Sequence, residues 1–161
     1  MIRRVVDTNV LVVANGRDTN ASIQCRLAAG EALNELLRNG RIVVDEAREI
    51  QIEYRRYCEP KGQPGVGDRF YREALNNYGG KVERIALAKR GDGSFEDFPD
   101  DPALHRFDPS DRKFAATARK SGAAVMVCIE RGWLRHADAL RRHGIEVDFV
   151  CGTDPKTWIA P

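Results

Sequence analysis

Short runs of β-branched and apolar residues alternate along the chain with longer stretches in which apolar residues recur every three or four positions. We predict strands at the runs and helices over the stretches between them. The predicted strands span 3–7, 41–44, 81–87, 124–129 and 145–150. The predicted helices span about 22–38, 45–57, 68–77, 108–122 and 133–143. Strands that alternate with helices indicate an α/β fold with a mostly parallel central sheet flanked by helices.

Three stretches fall outside this alternation. Residues 89–106, rich in Gly, Pro and Asp, are predicted to form a long surface loop. Residues 62–67 read Gly-Gln-Pro-Gly-Val-Gly, but they lack the Gly-Lys-Ser/Thr ending of a phosphate-binding loop and do not join a strand to a helix. We interpret them as a turn or a mobile loop. Residues 151–161 are predicted to be a loosely attached tail.

Composition limits the possible partners and compartments. A length of 161 residues fits one domain. The net charge of +2 gives no bulk electrostatic case for binding nucleic acid, so any such binding must rest on local patches. Apolar runs fall short of a membrane span and the N-terminus lacks a signal peptide, so we expect a cytoplasmic protein without a membrane partner.

The four cysteines are scattered and form no Cys-x-x-Cys pair. They are Cys25, Cys58, Cys128 and Cys151. In a reducing compartment this pattern predicts buried thiols rather than disulfides or a zinc site.

Four acidic residues fall at corresponding positions of the predicted architecture. Asp7 ends the first strand, Glu53 lies on the helix after the second, Asp111 begins the helix after the long loop, and Glu130 follows the fourth strand. Strand ends and helix starts of a parallel sheet open onto one edge, where open α/β sheets bind ligands. Crowded carboxylates repel, and Mg²⁺ or Mn²⁺ removes that conflict. The pattern therefore predicts an acidic metal site suited to phosphodiester chemistry.

Each of these acids except Asp7 also has a purely structural interpretation. Asp45, Asp108 and Asp111 all suit helix N-caps, and Glu49 or Glu53 could be solvated. With 24 acids in the chain, some fall at strand ends by chance. No capping role is evident for Asp7 in the sequence Asp-Thr-Asn after a buried strand.

Three blocks of the sequence together resemble the PIN-domain nucleases. The first is the apolar strand that ends in Asp7-Thr8-Asn9 and is followed by a second apolar stretch. The second is the helix 111–118, which begins with an acid and has small residues on its inner face. The third is the strand 124–130, which leads to the last acidic cluster. The blocks occur in the right order over about residues 2–150, so we interpret 1–150 as one PIN-like domain.

The resemblance implies a ribonuclease that depends on Mg²⁺ or Mn²⁺ and cleaves RNA by attack of an activated water. It implies catalytic and metal-binding roles for Asp7, Glu53, Asp111 and Glu130, with Glu49 as the rival for the second position. Thr8 or Asn9 would support the site by holding its metal-binding residues in place. Many small relatives are toxins neutralised by a protein antitoxin, so RNA, an antitoxin and a homodimer partner are the implied interactions.

The final cluster departs from the pattern of this family. It reads Glu130-Arg131-Gly132-Trp133, so the first acid is Glu rather than Asp and the second acid is absent. These differences leave open whether one or two metals bind, and they favour an alternative in which the module binds RNA or protein without cleaving. A phosphotransfer enzyme or receiver domain is a further alternative, but it needs a Lys at the end of a later strand, and the fourth and fifth strands have none there.

Basic residues accompany the predicted acids and allow two interpretations. With aromatic residues interleaved, they form either a rim for single-stranded nucleic acid or a solvated helix face over buried aromatics. The basic candidates are Arg55, Arg56, Lys61, Arg69, Arg112 and Lys113. The aromatic candidates are Tyr54, Tyr57 and Phe70.

Overall fold

Short strands joined by helices make up the chain in a computed structural model, which describes residues 1–77 and 79–161. The strands are β1 (Ile2–Val6), β2 (Gly40–Asp45), β3 (Val82–Ile85), β4 (Ala124–Val127) and β5 (Val147–Phe149). The α-helices are α1 (Thr8–Ala14), α2 (Ile23–Asn39), α3 (Glu49–Tyr57), α4 (Val66–Asn76), α5 (Arg112–Ser121) and α6 (Arg131–Arg142). Short 3₁₀ turns lie at Pro102–Leu104, Pro109–Asp111 and Pro155–Thr157.

The five strands form one sheet in the order β3-β2-β1-β4-β5, and each described pair of neighbours is parallel. The predicted α/β fold with a parallel sheet is therefore confirmed. The chain builds outward from β1 to β3 and then resumes on the other side of β1 with β4. Because the strand order reverses between β1 and β4, a ligand crevice is expected at the carboxyl ends of these two strands.

Burial on both faces explains the composition of the central strands. Val5 and Val6 of β1 and Val43 and Val44 of β2 have no exposed surface, as the continuous apolar runs of a covered parallel sheet require. Helix α2 packs on β1 and β2, whereas α5 packs across β1 to β4. Since parallel crossovers are right-handed, the reversal after β3 places α5 on the face opposite α2.

Residues 8–14 form α1, although three valines would favour a strand by propensity. Val10, Leu11 and Val13 are fully buried on the helix. Burial of this apolar face outweighs the weak preference of β-branched residues for strands. The consequence is that the chain turns sharply after β1, and Asp7 stands at the junction.

The segment 62–67 leads into α4 and packs against Leu11 and Asn15 at the end of α1. The backbone N–H of Gly65 donates to the Asp68 carboxylate at 3.0 Å. A Cβ on Gly67 would overlap with the carbonyl oxygen of Leu11, so glycine allows the close approach of α4 to α1.

The C-terminal segment is packed, and the prediction of a loosely attached tail is wrong. Trp158 is 1% exposed. The N–H of Ser22 donates to the Trp158 carbonyl at 2.8 Å, and the N–H of Ala160 donates to the Asn20 carbonyl at 2.8 Å. The burial of one large aromatic side chain therefore anchors a segment whose composition looks like a loop.

Two of the four cysteines are paired, so the prediction of free thiols is wrong for them. Cys25 of α2 forms a disulfide with Cys151, which follows β5. Cys58 and Cys128 are buried free thiols, as predicted. The two bonded residues are 126 positions apart, and only the packing of α2 beside the end of β5 brings them together.

Within the described ranges, no helix has both the length and the apolar character needed to cross a membrane.

Candidate metal centre

The four acids proposed from the sequence line one pocket at the carboxyl end of the sheet. The pocket has a volume of about 230 Å³. Its lining residues are Asp7, Thr8, Asn9, Val12, Glu53, Tyr57, Ser110, Asp111 and Glu130. Asp7 follows β1 and Glu130 follows β4, so the pocket lies at the reversal of strand order where a ligand crevice is expected.

Asp7 is the most buried of these acids, with 3% of its surface exposed. It is the N-cap of α1, and its Oδ2 accepts a long hydrogen bond of 3.4 Å from the N–H of Asn9. The inference that Asp7 has no capping role is therefore wrong. Its Oδ1 accepts no hydrogen bond from residues 1–77 or 79–161. Burial with so little hydrogen bonding favours a proton on this carboxylate or a cation beside it.

The surroundings of Asp7 disfavour its charged form. Burial, reinforced by the carboxylates of Asp111, Glu130 and Glu53, raises the pKa of Asp7 well above its usual range. This repulsion would be relieved by a cation bound in the pocket, since an opposite charge nearby favours the ionised form.

The pKa values of Asp111 and Glu130 are also raised, but less than that of Asp7. Asp111 ends the turn Pro109–Asp111, directly before α5. Burial, together with Glu130, Asp108 and Glu53, raises the pKa of Asp111 to about 7, and Lys113 opposes the rise. Burial, followed by Asp108 and Glu53, also raises the pKa of Glu130. Three of the four acids thus hold protons more tightly than free carboxylates do.

Asn9 fixes the chain segment that carries Glu130. Its Nδ2 donates to the carbonyl of Cys128 at 2.9 Å and to that of Ile129 at 3.4 Å. Ile129 has a φ of 54°, in the left-handed region that β-branched residues rarely adopt. Such strained backbone persists where the surrounding structure enforces it, often at functional sites.

Glu53 lines the pocket and Glu49 does not. The Glu53 carboxylate accepts from the hydroxyl of Thr8 through Oε2 and from Lys113 Nζ at 2.7 Å through Oε1. Glu49, one turn earlier on α3, pairs instead with Lys89 at 3.4 Å. The side chain of Thr8 therefore contacts an acid of the pocket directly.

The proposed basic rim is only partly assembled around the pocket. Arg112 donates to the carbonyls of His105 and Phe107, and its guanidinium lies 4.8 Å from the ring centre of Phe98. Arg69 lines a different pocket of about 220 Å³ beside Leu37. Lys113 contacts the pocket acid Glu53, and three further basic candidates are exposed: Arg55, Arg56 and Lys61.

The aromatic candidates separate into buried and exposed residues. Tyr54 and Phe70 have no exposed surface and belong to the core. Tyr57 is 51% exposed and lines the acid pocket. Sequence reasoning also missed Ser110 and Val12 as lining residues, and nothing in their sequence context marks them.

Comparisons with protein-family models, with curated proteins and with solved structures find no match for this chain. Its function is therefore inferred from the chemistry of the pocket and from the sequence blocks described above.

Proposed function

We propose that this protein is a divalent-metal-dependent ribonuclease of the PIN type, which hydrolyses phosphodiester bonds in RNA. The observation that carries the proposal is the state of Asp7. Its carboxylate is buried, accepts one long hydrogen bond and shares a pocket with three other acids. A residue that only caps a helix does not need three other acids beside it, whereas a cation site needs several carboxylates close together.

The donor set fits Mg²⁺ or Mn²⁺. The ligating side chains that line the pocket offer oxygen atoms, and hard divalent ions select carboxylate and water oxygens. Asp7, Asp111 and Glu130 would hold the ion. A volume of about 230 Å³ also leaves room for the several waters that such ions retain.

A bound divalent ion would supply an activated water and neutralise charge on a phosphoryl oxygen. The chain supplies the positioning. Asn9 holds the segment that carries Glu130, and Thr8 orients Glu53. Tyr57 presents an exposed aromatic face at the edge of the pocket, where a base of single-stranded RNA can stack.

Cleavage of a labelled single-stranded RNA by purified protein, in Mn²⁺ or Mg²⁺ and with a chelator control, tests this proposal. We expect metal-dependent cleavage that falls by at least about 100-fold in Asp7→Asn, the scale seen when a key electrostatic group is removed. Glu49→Gln is the matched control, because Glu49 lies on α3 outside the pocket. Cleavage that survives Asp7→Asn would point to a contaminating nuclease and sink the assignment.

A second candidate is a PIN-like module that binds RNA without cutting it. The presence of Gly132 in place of a second acid favours it. Retention of RNA without cleavage in either metal, with retention unchanged in Asp7→Asn, would support this alternative.

A further inference from the structure

Lys113 lies beside the acid pocket, where its largely buried ammonium contacts the lining residues Glu53 and Ser110. Its side chain is 12% exposed, and that of its partner Glu53 is 17% exposed. The ammonium donates to Glu53 at 2.7 Å and to the carbonyl of Ser110 at 2.5 Å, and it lies 5.1 Å from the ring centre of Phe114. A carboxylate, a carbonyl and an aromatic face thus surround the cation, as in a formed ammonium site.

The pocket acids therefore differ in how many hydrogen-bond partners their carboxylate oxygens have. Each oxygen of the Glu53 carboxylate has a partner, Lys113 for Oε1 and Thr8 for Oε2. The Oδ1 of Asp7 accepts no hydrogen bond from the described residues. A divalent ion can therefore bind Asp7 without displacing a protein partner, whereas at Glu53 it would have to displace the ammonium or lie beside it.

We propose that Lys113 is a built-in cation that occupies the Glu53 side of the pocket in place of a second divalent ion, so that the chain binds a single divalent ion. The proposal rests on the proposed function, since it assumes that Asp7, Asp111 and Glu130 hold that ion. Gly132, which stands where a second acid would extend the cluster, agrees with one ion rather than two.

The positive charge of Lys113 explains why a second divalent ion would be excluded. A fixed ammonium repels an incoming divalent ion, and in a partly dehydrated pocket this repulsion is much larger than in water. The ammonium also neutralises one of the carboxylates that would otherwise attract the second ion. Removing the charge of Lys113 while keeping its length should open this side of the pocket to metal.

The test is the number of Mn²⁺ ions bound by the full chain, measured by calorimetry and by electron paramagnetic resonance of free Mn²⁺. We expect one ion for the wild type and two for Lys113→Met, with Lys113→Arg still binding one. Lys89→Met is the matched control, because Lys89 also pairs with a glutamate of α3, but that residue, Glu49, does not line the pocket. It should bind one ion with unchanged affinity.

Two wild-type ions, or one ion in both the wild type and Lys113→Met, would overturn the proposal. Binding of no ion to any of these proteins would overturn the proposed function as well, so the two failures are distinguishable. The double variant Glu53→Gln/Lys113→Met, which removes both charges of the pair, gives a second test. It should keep one ion with affinity within about 3-fold of the wild type, whereas loss of a true ligand would weaken binding by at least the roughly 10–100-fold cost of a lost supporting partner.

Discussion

The hydroxyl of Tyr54 donates a hydrogen bond of 2.5 Å to the carbonyl of Val6. Val6 is the last residue of β1 and precedes Asp7, and Tyr54 follows Glu53 on α3. The bond therefore ties together the two elements that deliver two of the pocket acids. Because Tyr54 and Val6 are both fully buried, water cannot replace the bond when it is lost.

Tyr54→Phe should lower the free energy of unfolding by about 1 kcal/mol, since the substitution removes this hydrogen bond and keeps the ring. Urea denaturation measures the change. Tyr71→Phe is the matched control, because Tyr71 is also buried but its hydroxyl makes no hydrogen bond to residues 1–77 or 79–161. Equal losses of unfolding free energy in Tyr54→Phe and Tyr71→Phe would show that the hydrogen bond to Val6 contributes nothing to stability.

Asp7→Asn should stabilise the metal-free protein while removing its response to metal. Burial and the neighbouring acids raise the pKa of Asp7, so its ionised form is costly in the folded protein, and an amide of the same shape avoids this cost. Thermal unfolding in a chelator and in excess Mn²⁺ measures both effects. The wild type should melt higher with Mn²⁺ and the variant should not. An equal Mn²⁺ response in both proteins would show that Asp7 is no ligand.

The convergence of the acids could be predicted from the sequence, because it depends only on the parallel arrangement of the strands. In a parallel sheet the ends of β1 and β4 must open on one edge, and this alone brings Asp7 and Glu130 together. Side-chain direction is harder to predict. Lys113 follows Asp111 by two positions, and only the packing of α5 beside α3 turns its ammonium toward Glu53.

The missed features depend on contacts between distant parts of the chain. The disulfide of Cys25 with Cys151 and the burial of Trp158 follow from where α2 lies after the sheet has formed. Helix α1 was missed for a different reason, because its valines have the composition of a strand and become helical through burial.

Asp111→Asn should change how stability depends on pH. The pKa of Asp111 in the folded protein is about 7, above the value of about 4 for an unfolded chain. The folded state therefore binds the proton more tightly, and the resulting stability is fully present below about pH 4 and is lost as the pH rises through 7. The amide does not titrate. Relative to the wild type, the variant should gain stability steadily between these pH values.

Urea unfolding in a chelator across that pH range measures this difference. Asp138→Asn serves as a control for removing one negative charge, because Asp138 is exposed and is not among the acids that raise the pKa of Asp111. A stability difference between Asp111→Asn and wild type that stays constant with pH would contradict the raised pKa of Asp111.

Asp68→Ala should destabilise the protein strongly. The Asp68 carboxylate is fully buried and accepts from Arg17 at 2.9 and 3.0 Å and from the N–H groups of Glu59 and Gly65 at 2.9 and 3.0 Å. Burial alone would raise the pKa of Asp68, but these bonds lower it overall. We expect a loss of about 3 kcal/mol, since two backbone donors and a guanidinium lose a charged acceptor.

The pH dependence of this loss provides a second measurement for Asp68. A lowered pKa means that the stabilisation is present above about pH 4 and is lost as the pH falls below it. The difference in unfolding free energy between the wild type and Asp68→Ala, measured with urea, should therefore decrease as the pH is lowered. Asp92→Ala, in an exposed turn, should leave the midpoint nearly unchanged. A difference in unfolding free energy that increases at low pH would contradict stabilisation by the ionised Asp68 carboxylate.

Cys151→Ser should lower the free energy of unfolding by about 2–4 kcal/mol, because the disulfide with Cys25 restricts the unfolded chain over a long loop. Urea unfolding with and without dithiothreitol measures this. The reductant should destabilise the wild type to the level of the variant. It should leave the double variant Cys25→Ser/Cys151→Ser unchanged, because that variant has no thiol of a broken pair left beside Cys128 to form a new disulfide. A wild type that unfolds at the same urea concentration with and without reductant would show that the bond contributes nothing, and the packing of Trp158 alone would then hold the C-terminal segment.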